Sequence, residues 1–344
     1  MRFTLPFVMA GLTMAAVSAG AQDAGQRIVR RDAVRAGARA YQGRNGPEQT
    51  ERFSRKVKVG RDARVSIDNI AGSIVVTGGA GDEVSIEAVK RTRGDRGELA
   101  TVRITVDERA GRVEVRTEGE QNRGNRGWRG SQVSVDYTVT VPASASVDLH
   151  SVSGSMRVTG VRGSLRAETV SGNVTTTDTP KLEVAKSISG DVLLTGAAAE
   201  GDLSAASVSG SVTARGLKAH GLDLGSISGD IMLSDVTCDR LGIKSVSGSV
   251  EYAGSLVKGG RYEINSHSGS VRLTLSNPPG FEFAANSFSG TIRSDFPMII
   301  GGDRDRDRGR RRGGNNRSIR ATFGDGSATV TVRTFSGEIV IAKR

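Results

Sequence analysis

The chain has one cysteine, Cys238, and three histidines among its 344 residues. A single thiol excludes an intramolecular disulfide and any cysteine-rich metal module. Cys238 reads as a buried thiol rather than a reactive one. His150, His220 and His267 lie far apart in sequence, with no carboxylate or cysteine at ligand spacing. Neither a metal site nor a histidine-centred catalytic site is therefore expected, and no cofactor is implied. No Gly-x-Ser-x-Gly elbow occurs, so the many serines do not read as nucleophiles. Long apolar runs are also scarce. The one present, Leu5 to Val17, is too short to span a bilayer.

What the sequence does have is glycine, 46 in all, and much of it falls in a repeated phrase. Ser-Val-Ser-Gly or a close variant ends at Gly154, Gly172, Gly190, Gly210, Gly229, Gly248, Gly269 and Gly290, and a further copy ends at Gly337. From Gly154 to Gly290 the spacing is 18 to 21 residues, a period that marks a repeat architecture.

Aligned on these glycines, three columns are apolar. Two residues after Gly come residues such as Val174, Val192 and Ile231, and five before come Ala167, Ala185 and Leu224. Two before come Val152, Val170, Ile188, Val208, Ile227 and Val246, with His267 and Phe288 in the looser copies. Short alternating runs rich in Val and Ile are strands. The three columns read as the apolar side that stacking of successive copies must bury. The expected fold is all-β: a single-stranded parallel β-solenoid, right-handed by the general crossover preference, with a β-rich N-terminal cap. Glycine suits the corner between two strands, and the flanking serines can bond local backbone there. One copy is out of step. Leu182 and Val184 lie one residue further from Gly190 than their counterparts do from their own glycines, which predicts a bulge or an altered corner near Pro180.

The rest of the chain divides around this block. Residues 1–21 carry Arg2, the apolar run and Ala19-Gly20-Ala21, the pattern of a secretory signal peptide. Residues 22–56 read as a basic disordered linker and 57–146 as the β-rich cap, in which Asn69-Ile70-Ala71-Gly72 is a degenerate first copy. The repeats occupy 147–296. Residues 297–320 form an Arg-rich insert expected to be disordered, and 321–344 supply closing strands.

The Ser-Val-Ser-Gly copies, the opening Val65–Ile74 and the ending Gly324-Asp325-Gly326 through Thr334-Phe335-Ser336-Gly337-Glu338-Ile339 resemble a bacterial family of β-strand-repeat envelope proteins. That family is known as putative adhesins, a domain of unknown function. The resemblance covers residues 57–344 and implies a right-handed β-solenoid, export and no established catalytic residues.

Net charge is +11, and the two segments expected to be disordered contribute about +5 each. Arg304, Arg306, Arg308, Arg310, Arg311, Arg312 and Arg317 are candidate contacts for an acidic surface such as anionic lipid or an acidic envelope polymer. Arg123, Arg126, Trp128 and Arg129 form a second basic loop, where the indole could stack on a ring. Nucleic acid is not expected as a partner of an exported chain. Asp191 and Asp230 recur after Gly in alternate copies, about 10 Å apart on ideal stacking, which is loose for a paired-acid mechanism. The leading expectation is an exported, non-enzymatic scaffold or adhesin-like binding module in the periplasm, at the cell surface or secreted. A carbohydrate-active β-helix enzyme and an envelope-stress sensor are the alternatives.

Overall fold

The computed structural model describes residues 47–119, 133–198, 201–297, 299–300 and 317–344. The signal-like segment, the linker up to residue 46, the loop carrying Arg123, Arg126, Trp128 and Arg129, and the run Arg304 to Arg312 lie outside the described residues.

Among the described residues the protein is all-β, and its strands join into one hydrogen-bonded sheet of mixed direction. The first group is β1 (Gln49–Lys58), β2 (Arg64–Ala71), β3 (Ile74–Gly79), β4 (Glu83–Thr92), β5 (Val102–Arg109), β6 (Arg112–Gly119) and β7 (Ser134–Pro142). The repeat begins with β8 (Ser146–Ser153), β9 (Met156–Thr159), β10 (Leu165–Ser171), β11 (Val174–Thr177), β12 (Leu182–Ser189) and β13 (Val192–Ala198). It continues through β14 (Asp202–Ser209), β15 (Val212–Ser228), β16 (Ile231–Ser247), β17 (Val250–Gly254), β18 (Arg261–Ser268) and β19 (Val271–Leu275). The chain ends with β20 (Phe281–Ser289), β21 (Ile292–Ser294), β22 (Ile299–Ile300), β23 (Arg317–Phe323), β24 (Ala328–Ser336) and β25 (Ile339–Lys343).

Each repeat copy is a rung: one strand before its glycine and one after. Neighbouring rungs pair in parallel with like positions in register, so that Thr169 faces Ser151 and Ser187, and Val174 faces Met156 and Val192. The purely parallel sheet implied by the period is corrected at both ends. There β4 runs antiparallel to β7, β1 to β4, β5 to β6, and β23 to β20. A rung with no neighbour would present a row of unpaired backbone groups, and these antiparallel strands occupy much of that edge.

Two boundaries move as a result. Gln49–Lys58 is a strand, not the end of a linker. It pairs through its backbone while its charged side chains stay in water, and only Val57 is buried. Arg317 and Arg320 likewise belong to β23 rather than to the insert. The expected bulge is present: the register between β10 and β12 shifts at Glu183, and Glu183 pairs with Arg166 at 2.8 Å.

The order of rungs in space is not the order in sequence. The degenerate copy at Gly72 stacks directly on the Gly154 rung, with β6 and β7 on its other side. At the far end β24 lies between β18 and β20, and β25 between β19 and β21. The last rung in the chain is thus the last but one in the stack.

The core is built from the columns five before and two after Gly, for example Ala185, Leu224 and Ile243 with Val174, Val192 and Ile231, all buried. Where the period widens to 21 residues, Tyr252 and Tyr262 fill the space edge to face, ring centroids 6.1 Å apart. The Tyr262 hydroxyl donates to the Cys238 carbonyl at 2.7 Å, and that of Tyr252 donates to the Ser255 carbonyl at 2.9 Å.

Burial pushes the Cys238 thiol up to about 12, the Asp239 carboxylate adding to the effect. It pushes Tyr137 up to about 12 against the opposing hydrogen bond of Thr117, and raises Tyr252 and Tyr262 as well. These groups are neutral when protonated, and the folded state holds their protons more tightly. Their contribution to stability is therefore full below their ordinary values of 9.0 and 10.0 and is lost as pH rises toward 12. Each tenfold gain in proton affinity on folding is worth about 1.4 kcal/mol. The melting temperature should hold to pH 9 and fall steeply by pH 12, with Cys238→Val removing the earliest part of the fall. An unchanged melting temperature between pH 9 and pH 12 would contradict this account.

Candidate binding face

The column two residues before Gly was expected in the core, and the structure corrects this. Ile70, Val152, Val170, Ile188, Val208, Ile227, Val246, Phe335 and Phe288 are all solvent-exposed, from 38% at Val208 to 54% at Val152. The reason is parity. Alternate residues of a strand face opposite sides, so positions five and two before Gly cannot both point inward. The inward residue next to the corner is instead the small polar one three before Gly.

That residue is Ser or Thr in the repeats, and it is buried in each of them. In four rungs its hydroxyl reaches the corner below: Ser187 donates to the Gly172 carbonyl and Ser207 to the Gly190 carbonyl, both at 2.8 Å. Thr169 and Ser226 do the same at 3.3 and 3.2 Å, whereas the hydroxyls of Ser151, Ser266 and Ser287 are buried without a partner among the described residues. Corner stacks on corner, with the Gly154 N–H donating to Ser171 at 2.7 Å and the Gly172 N–H to Ser189 at 3.0 Å. The position after Gly joins the same ladder. Asn173 accepts from the Asp191 N–H at 2.9 Å, Asp191 from Ser211 at 2.8 Å and Asp230 from Ser249 at 2.8 Å. The recurrent aspartates thus tie rung to rung.

The exposed column runs in stacking order from Ile70 through Val246 to His267, Phe335 and Phe288, one residue per rung. Its aromatic end is tightly stacked: Phe335 lies 5.0 Å from His267 at 11° and 4.9 Å from Phe288 at 5°. Two positions upstream, a second outward row follows the same rungs. In stacking order it reads Asp68, His150, Glu168, Lys186, Ala206, Gly225, Lys244, Asn265 and Arg333. Both carboxylates lie toward one end, small residues in the middle, and cations on the far side of them as well as at Lys186. Between the rows lies a groove of about 820 Å³ from Asp68 to Val246, floored by the buried serines. A second groove, of about 490 Å³, continues from Lys244 to Phe335. Cross-strand packing of Val and Ile accounts for part of this row's presence. A continuous exposed apolar stripe of this length is, however, the kind of surface that marks an interaction site.

The other candidates disperse. The nine corner glycines come into one line along an edge of this face, through the ladder just described. His150 pairs with Asp148 at 3.1 Å and His220 with Asp239 at 2.9 Å, both at the surface. Among the described residues no three His, Cys, Asp or Glu side chains converge in a metal-sized cluster. Arg317 lies at the start of β23, and the other arginines proposed as contacts fall outside the described residues. Sequence reasoning missed the face itself, although the parity of the apolar columns carried the signal.

Residues 63–342 match the Toastrack DUF4097 family, and the chain belongs to it. No protein of curated function matches it. Among solved structures it is similar to a putative adhesin from Bacteroides fragilis at 11% identity, covering 85% of this chain and 97% of that one, with a TM-score of 0.38. A putative lipid binding protein from Parabacteroides distasonis gives 14% identity, 86% and 97% coverage and a TM-score of 0.39. A putative adhesin from the same organism gives 11%, 87%, 98% and 0.39. No helix of the described residues is long and apolar enough to cross a membrane.

Proposed function

We propose that this protein is an exported, non-enzymatic β-solenoid, its rungs winding right-handed, that works as an envelope scaffold or adhesin-like binding module. The observation that carries the reading is the apolar ladder on the outside of the stack, beside a charged row and over a continuous groove. An apolar row kept in water on rung after rung is a surface waiting to be covered. Export is supported by the pattern of Arg2, Leu5–Val17 and Ala19-Gly20-Ala21. Right-handed winding is supported by the crossover preference of parallel strands.

The test is binding of the mature protein to envelope fractions across a salt series. It is run beside Val170→Asp/Ile227→Asp and beside a variant lacking residues 303–316, which leaves β23 whole. The expected result is salt-resistant binding that falls at least tenfold in the double Asp variant and persists without the arginines. Salt-sensitive binding that vanishes only with the deletion would move the contact to the arginines and an acidic polymer or anionic membrane. Absence of binding by the unaltered protein would overturn the adhesin reading.

A further inference from the structure

The two outward rows are self-complementary, and we propose that this face docks a second copy of the chain, antiparallel, about a two-fold axis through the rung of Ala206 and Val208. The proposal rests on the reading of the face as a binding surface and names its occupant. A two-fold axis lying along a strand turns one stack over and reverses it while keeping the strand direction. Apolar row then meets apolar row, and charged row meets charged row in reverse order.

With the axis at Ala206, rungs equally distant on either side face each other. Asp68 comes opposite the Arg333 of the other copy, and Glu168 opposite its Lys244. Lys186 comes opposite Gly225, which offers no side chain to collide with, and Ala206 meets itself where the copies are closest. No pair in this register brings like charges together. Three of these charges have exposed partners within one copy: Asp68 lies 3.4 Å from Arg116, Glu168 4.0 Å from Lys186, and Arg333 donates to Glu263 at 3.1 Å. Such half-exposed pairs exchange partners at little cost.

From Asp68 to Arg333 the strip is about 40 Å long at the usual strand spacing. At a width of roughly 15 Å it covers about 600 Å² per copy, somewhat below the ~800 Å² of a standard interface. A strip of this size suits a reversible dimer rather than an obligate one.

Sedimentation equilibrium of the mature protein, without envelope material and at low salt, tests this directly. Glu168→Lys and Lys244→Glu should each weaken dimerisation about tenfold, because the symmetry places every like-charge clash twice. Combining them should restore it to within about threefold. A protein that is monomeric at every concentration, or a dimer indifferent to these reversals, overturns the proposal. If Val170→Asp/Ile227→Asp still abolishes envelope binding in that case, the face is a binding surface with another occupant, such as an acyl chain.

Discussion

Removal of residues 328–344 should unfold the stack from β18 onward while leaving the earlier rungs intact. β24 is hydrogen-bonded to β18 on one side and β20 on the other, and β25 joins β19 and β21 in the same way. Without them, two rungs lose their common neighbour and each presents an open parallel edge. Val330, Val332, Ile339 and Ile341 are buried, and complete burial of such side chains is worth about 1.5–3 kcal/mol each. The sum rivals the ~5–15 kcal/mol that holds a whole domain. In a stack of rungs, however, each contacts its neighbours alone, so the damage stays local. Hydrogen exchange should show lost protection at Ile264, Val271 and Phe283 and native protection at Val174 and Val192. A peptide of residues 327–344 added in trans should restore the lost protection, since the gap it fills is already shaped by both sides. Native protection at Phe283 in the truncated protein would mean that β18 and β20 close directly on each other, and would refute the argument.

Much of this architecture is legible in the sequence, and what is not has physical reasons. The period, the strands and the glycine corners follow from recurring residues, because every rung solves the same steric problem. The exposed row escapes a reading that equates apolar identity with burial. Val152 and Leu149 differ by three positions, and a strand cannot turn both inward. The serines at Ser187 and Ser207 conceal the answer, since a polar residue reads as outward until its hydroxyl is seen bonded to a corner carbonyl. The interleaving of β24 is not legible at all. Phe335-Ser336-Gly337 would stack equally well outside the Phe288 rung, and only the path through β23 decides between them. β1 and β23 are hidden for a related reason: an edge strand held by backbone bonds needs few apolar side chains, so Arg52, Arg55 and Lys56 read as linker.

The corner glycines give the second large effect. Gly172 has φ +146°, a region where a side chain is strained. A Cβ placed there would also run into the Gly154 carbonyl of the rung below and come within 2.9 Å of the Ser155 backbone nitrogen. Neither obstacle is a side-chain end that can swing away, and both belong to the ladder that joins Gly154 to Ser171 and Gly172 to Ser189. To accept a methyl group, neighbouring rungs must part and give up corner hydrogen bonds. Gly111 is the control. It sits in a turn at φ +71° with nothing within 4 Å of an added Cβ. Gly111→Ala meets backbone strain alone, about 1–2 kcal/mol. Gly172→Ala should cost at least about 3 kcal/mol, strain and parted rungs together. Urea midpoints of the two variants separate these contributions. Equal losses would show that conformational freedom alone explains the glycines. A clearly larger loss in Gly172→Ala would show that they are there because one corner must lie directly upon the next.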